Sequence, residues 1–153
     1  MISIIIPSFN NLDYLKLAIK SIKKNSNLPN EIILHINEGT DGTLDFVKKN
    51  NYKFSYSEVN DGICVGCNKA ASISKYDLIL YAHDDMYFLP EWDMYLEKEI
   101  NLYDHNKFYL SLTQISHSGA VKGNIQHIQF NCGESIENFD EENLYTAMRI
   151  GWC

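Results

Sequence analysis

Apolar residues run almost unbroken from Ile2 to Ile6 (ISIII) and stop at Pro7. A run this short and this rich in Ile predicts a buried strand. Leu12, Leu15, Ala18, Ile19 and Ile22 then recur at helical spacing, with Lys16, Lys20, Lys23 and Lys24 mainly off that stripe. This predicts a helix from Leu12 to about Lys24, capped by Asn10 or Asn11. Glu31 to Ile36 (EIILHI) reads as a second strand, and a loop dense in turn formers leads to a short helix from Thr43 to Lys49. Tyr52, Phe54 and Tyr56 alternate in a third strand, Tyr52 to Glu58, and Asn60-Asp61-Gly62 turns the chain into a helix ending near Ser74. Leu78 to Ala82 is the fourth strand. After Pro90 the pattern predicts a helix to about Asn106, strands over Phe108–Gln114 and Gln126–Asn131, and a last helix over Asp140–Ile150.

The order β-α-β-α-β-α-β predicts an α/β fold, a mostly parallel central sheet with helices on both faces. Such sheets bind ligands beyond the carboxyl ends of their strands. The fourth strand ends there in His83-Asp84-Asp85, two adjacent carboxylates that repel each other and do not belong in a core. Hard oxygen ligands of this kind suit Mg²⁺ or Mn²⁺ bridging phosphates, and a cation between carboxylate and diphosphate relieves the repulsion on both sides.

The chain has 153 residues, 45% of them hydrophobic, enough for one domain with a core. The net charge of −7 argues against a nucleic-acid partner, because phosphate backbones demand basic patches. No stretch is long and apolar enough for a transmembrane segment and no signal peptide is apparent, so the expected location is cytoplasmic, or peripheral at the inner face of the membrane. Nothing in the pattern sets an oligomeric state. The first strand is not followed by GxGxxG, no Walker A sequence occurs, and no strand runs into GxSxG. Cys64-Val65-Gly66-Cys67 is a CxxC, but no second Cys or Cys/His pair accompanies it, so plain structural thiols are expected.

Four stretches together resemble the family 2 glycosyltransferases of the GT-A fold. Ser3-Ile4-Ile5-Ile6-Pro7-Ser8-Phe9-Asn10 is similar to their first strand and its Pro-(Ser/Thr)-(Tyr/Phe)-Asn ending. Glu38-Gly39-Thr40-Asp41-Gly42-Thr43 resembles the loop after their second strand, Asn60-Asp61-Gly62 with Asn68 their Asn-x-Gly…Asn segment, and His83-Asp84-Asp85 falls at their DxD motif. The resemblance implies sugar transfer from a nucleotide-sugar donor, often UDP-linked, to a glycan or lipid-linked acceptor. It implies that Pro7, Ser8, Phe9 and Asn10 line the donor pocket, that Glu38 contacts uracil or ribose, that Asn68 and Asp84 serve the donor, and that Asp85 binds Mn²⁺ or Mg²⁺. Residues 1–92 would be the donor half and 93–153 a short acceptor-side half of one GT-A-like domain, with truncation of that half as the alternative.

Two departures concern the site: His83 stands where the family has the first Asp of DxD, and Cys67 where it often has Arg. Inverting members use a late acidic residue to deprotonate the acceptor, and Phe139-Asp140-Glu141-Glu142 followed by Met148-Arg149-Ile150-Gly151-Trp152 is similar to that segment. Glu142 is favoured as the base, then Glu141, then Asp140; the plain alternative is that these acids serve a helix dipole. Plain alternatives also stand for His35 (a packed strand histidine), for Trp92 (packing at the Pro turn rather than stacking on an acceptor sugar) and for Asp41 (a helix cap). His83, His117 and His127 are weaker metal-ligand candidates. A noncatalytic nucleotide-sugar or glycan-binding domain is the alternative function.

Overall fold

The computed structural model describes residues 1–112, 114–116, 127–129, 132–133 and 135–151, with the side chains of 114–116, 127–129 and 147–151 left aside. The elements are β1 (Ile2–Phe9), α1 (Leu12–Asn25), β2 (Asn30–Asn37), α2 (Thr43–Lys49), β3 (Lys53–Ser57), α3 (Ile63–Ala71), β4 (Ile79–Tyr81), α4 (Trp92–Ile100), β5 (Gln114–Ser116), β6 (His127–Gln129) and α5 (Glu141–Gly151). Two compact units divide them, Met1–Glu97 and Lys98–Cys153.

In the first unit four parallel strands lie in the order β3-β2-β1-β4. The first three step one way across the sheet and the connection through α3 returns past them to β4. Right-handed crossovers therefore place α1 and α2 on one face and α3 on the other. The alternation along β1 and β2 serves both layers. Ile5 and Ile33 pack with Ala70 on the α3 side, while Ile4, Ile6, Leu34 and Ile36, at the alternate positions, are also fully buried. Each such side chain contributes roughly 1.5–3 kcal/mol by leaving water. α3 lies close to the strands because residue 66 is glycine: a Cβ there would stand 2.6 Å from Cδ2 of His35 and 3.3 Å from Cβ of Pro7.

Pro7 does not end the first strand. β1 continues to Phe9, and Pro7 pairs in register with His35 of β2. The N–H of Ser3 and the carbonyl of Ile5 face β4, bonded to Leu78 and Ala82. The nitrogen of Pro7, two residues on, points the same way, beyond the last β4 partner, Tyr81. No ladder bond is lost there, so proline is tolerated in a central strand.

The second unit pairs β5 with β6 in parallel and buries Cys132 and Leu144. Its strand pattern differs from expectation: residues 108–112 are not strand, and β5 begins at Gln114. α4 also stops at Ile100, not near Asn106. Beyond it Leu102 and Tyr103 bond back to Glu99 and Ile100, three residues away, and the turn-forming Asp104-His105-Asn106 follows. Residues 126, 130 and 131 of the last expected strand lie outside the described residues.

Candidate donor-binding cleft

β1 and β4 are neighbours whose connections leave in opposite directions, and such a switch point opens a crevice at the strand ends. A cleft of about 460 Å³ is found there. Pro7 to Asn11 form one side, His83 and Asp84 another, and Asn37, Asn60, Gly62 and Ile63 complete it. Of the expected donor residues, Pro7, Ser8, Phe9, Asn10 and Asp84 meet in this cleft.

Ser8 is buried, and its hydroxyl donates to Oδ2 of Asp84 at 2.6 Å. Asn11 also hydrogen-bonds Asp84. Burial pushes the Asp84 carboxyl above its ordinary range; these two bonds oppose the shift and the charge of Asp85 adds to it. Asp85 is exposed. His83 stacks near Tyr81, its Nε2 2.9 Å from the tyrosine hydroxyl. Tyr81 is itself pushed up to about 12, first by partial burial and then by the charges of Cys67, Asp84, Asp85 and Cys64.

Phe9 lines the cleft and is 46% exposed. Asn10 adopts φ 47° and ties two loops together. Its Oδ1 accepts the Thr40 N–H at 2.9 Å, and its amide reaches Glu38 Oε2 at 3.4 Å. Glu38 thus stands behind Asn10 and is not itself a cleft wall. Asn68 is exposed on α3 and is likewise not a wall residue.

Asn11 is the N-terminal flank of α1, but its side chain does not cap the helix. Asp41 does so instead: its Oδ2 accepts the Leu12 N–H at 2.8 Å while its Oδ1 accepts the Thr43 N–H at 3.0 Å. One carboxylate caps two helices, which holds it below the usual range despite some burial. Asn11 is thereby released to Asp84. Neither Asn11 nor Asn37 and Ile63 was marked as a site residue by sequence; only Asn37 was pointed to, by its place at the end of the second strand.

Behind the β3–α3 turn lies a second polar group. Asp61 Oδ2 accepts Ser57 Oγ at 2.7 Å and pairs with the Lys69 ammonium. Lys69 foremost holds Asp61 down to about 2. Its Oδ1 is buried without a hydrogen bond, 3.5 Å from Nε2 of His35. His35 is fully buried, its Nδ1 2.8 Å from Ser55 Oγ, as a packed strand histidine. Trp92 is also structural: its Nε1–H donates to Ser26 Oγ at 3.1 Å and its ring meets Phe88 edge-on.

The three α5 carboxylates belong to the second unit. Asp140 caps the helix, its Oδ1 accepting the Asn143 N–H at 2.9 Å, and Glu141 accepts the Tyr145 hydroxyl at 3.0 Å. Glu142 is exposed. His117 and Trp152 lie outside the described residues, as do the side chains of His127 and Arg149.

A family model described as Glycosyl transferase family 2 matches residues 3–152. The chain belongs to this family. Among solved structures, this glycosyltransferase-family chain is similar to TarS of S. aureus. A crystal structure of TarS residues 1–349 is 26% identical, with a TM-score of 0.59 over 66% of this chain and 32% of that one. The same segment in complex with UDP is 23% identical, with a TM-score of 0.64 over 77% and 37%. A TarS structure covering more of that protein is 20% identical, with a TM-score of 0.56 over 78% and 22%. The chain therefore spans about a third or less of the solved relatives' length. A search of curated proteins gives no match. The parallel sheet flanked by helices is the GT-A arrangement expected from the sequence.

Two carboxylates, Asp84 and Asp85, follow the end of β4. No group of three or more His, Cys, Asp or Glu side chains forms a ready cage among the described residues. Mg²⁺ and Mn²⁺ on phosphates rarely need one: one or two carboxylates, the phosphate oxygens and water complete the shell. Asp84, destabilised as an anion by burial, and exposed Asp85 fit that donor set.

Proposed function

We propose that this chain binds a nucleoside-diphosphate sugar, UDP-linked, in the cleft between β1 and β4, and takes part in inverting transfer of the sugar to a glycan or lipid-linked acceptor. One observation carries the reading: the cleft at the switch point gathers the Pro7–Asn11 segment and Asp84 in one cavity of about 460 Å³. UDP binding by the TarS segment, a structure of the same fold, supports it. In this reading the exposed Phe9 residue stacks on the base, with Asn10 and Glu38 fixing the loops that frame the nucleoside. Ser8 and Asn11 orient Asp84 toward the ribose or sugar, and Asp85 would hold Mn²⁺ or Mg²⁺. When bound, the cation neutralises charge on the departing diphosphate. Of the candidate bases, Glu142 has its carboxylate exposed, whereas Asp140 is engaged as a cap and Glu141 with Tyr145. Glu142 remains the first choice for taking the acceptor proton.

The test is calorimetric titration of UDP and GDP, with and without Mn²⁺, into the protein and into Asp85→Ala. Micromolar UDP binding that needs Mn²⁺ and is lost in the variant is expected. Absence of binding by folded protein would sink the donor site. Cys67 in place of the family's Arg favours a second reading, a binding domain that holds the donor without turnover. Release of free UDP from a UDP-sugar in the presence of acceptor separates the two.

A further inference from the structure

Cys67 packs against the core as a structural thiol would, but Cys64 does not. Cys64 is exposed in the first turn of α3, while Cys67, three residues on, is half-buried against Ile5, Ile33 and Ala70. Both are free thiols. They adjoin the cleft: Ile63 and Gly62, the residues just before Cys64, line it.

We propose that Cys64 and Cys67 form a reversible dithiol–disulfide site whose state alters the wall of the cleft. Side chains three apart on a helix have Cβ atoms roughly 5–6 Å apart, whereas a disulfide wants about 3.5–4.5 Å. Closing the bond thus tightens the first turn of α3. That turn can yield, because its first N–H groups have no helical acceptor; the first backbone bond of the helix runs from Gly66 N–H to Gly62 carbonyl. The movement reaches Gly62, which holds φ 86° and ψ 167° and links the cleft-lining Asn60 to α3.

Exposure assigns the chemistry. The oxidant is a low-molecular-weight disulfide, RSSR. The thiolate of Cys64 attacks one of its sulfurs; the RS–SR bond breaks, a Cys64–S–S–R bond forms and RS⁻ leaves. Cys67 then gives up its proton and attacks Sγ of Cys64, expelling the second RS⁻. Two cysteine thiols are oxidised to one disulfide, RSSR is reduced to two RSH, and the two cysteine protons end on the released thiolates. A dithiol reductant reverses the sequence.

The experiment incubates the whole protein with glutathione disulfide and maps disulfides by tandem mass spectrometry. Amide exchange of residues 60–63 and UDP affinity are then measured in both forms. Expected are a Cys64–Cys67 bond absent from Cys64→Ser and Cys67→Ser, faster or slower exchange at residues 60–63, and UDP binding changed at least threefold and restored by dithiothreitol. No Cys64–Cys67 bond in folded protein, or a bond that leaves exchange at residues 60–63 unchanged, overturns the proposal. The UDP arm rests on the donor-site reading. If neither form binds UDP, that reading fails, and disulfide mapping with amide exchange still decides the redox site.

Discussion

Asp61 and Asp84 occupy the same rim of one sheet, and their surroundings push them in opposite directions. Asp61 stands at the β3–α3 corner beside Lys69, with Ser57 and His35 close by, and its carboxyl is held down to about 2. Asp84 stands at the end of β4, without an ion pair among the described residues, and burial pushes its carboxyl up in spite of Ser8 and Asn11. An acid already matched by a protein cation has its charge answered within the fold. An acid held as a poorly compensated anion gains most from a positive charge brought from outside. The contrast separates the corner that builds the cleft from the carboxylate proposed to face a ligand in it.

The largest effect is expected from breaking the corner. Gly66→Ala drives a methyl group into the ring of His35, which is fully buried and tied to Ser55 and so has little room to retreat. A loss of about 2–3 kcal/mol in urea unfolding is expected. An unchanged midpoint would mean that α3 does not rest on β2 as described.

A smaller change of opposite sign is expected at Asp84. With its folded pKa raised, ionised Asp84 costs the fold stability at neutral pH. Asp84→Asn removes the charge and keeps an oxygen to accept from Ser8. In chelator and without nucleotide, the unfolding free energy from urea titration should rise by up to ~1 kcal/mol, while nucleotide affinity in Mn²⁺ falls. Destabilisation by this variant would show that Asp84 is as well compensated as Asp61.

The smallest effect sharpens the other side. The folded pKa of Asp61 lies below the unfolded value, so its contribution is present above about pH 4 and fades as pH falls toward 2. Asp61→Asn should lower stability at neutral pH and flatten the acid limb of a Tm-against-pH curve. A curve identical to that of the parent protein would remove the Lys69 pairing from the account.

The strand and helix pattern of the first unit was legible because each element carries its own period. Ile-rich β1 and β2 and the α1 stripe read directly, and α2 lies where turn chemistry put it. The pattern failed where apolar residues were scattered. Residues 108–112 alternate well enough to suggest a strand, yet Tyr109 is 92% exposed, with no partner strand for that stretch among the described residues. At the site, Pro7 to Asn10 and Asp84 could be named from their positions after strand ends. The exchange of roles between Asn11 and Asp41 could not, because Leu12 and Asp41 are 29 residues apart and meet only when β1 and β2 lie side by side.

Sequence by itself determined that a parallel sheet would end in polar residues on one rim, because strand periodicity and crossover handedness are local or near-local properties of a chain. Tertiary structure decided what each acid on that rim became. The charge state of a carboxylate depends on who stands next to it and how much water is left. Ser8 lies 76 residues from Asp84 in the chain and reached it only when β1 and β4 lay side by side, whereas Lys69, 8 residues from Asp61, reached it once α3 was wound after the β3–α3 turn.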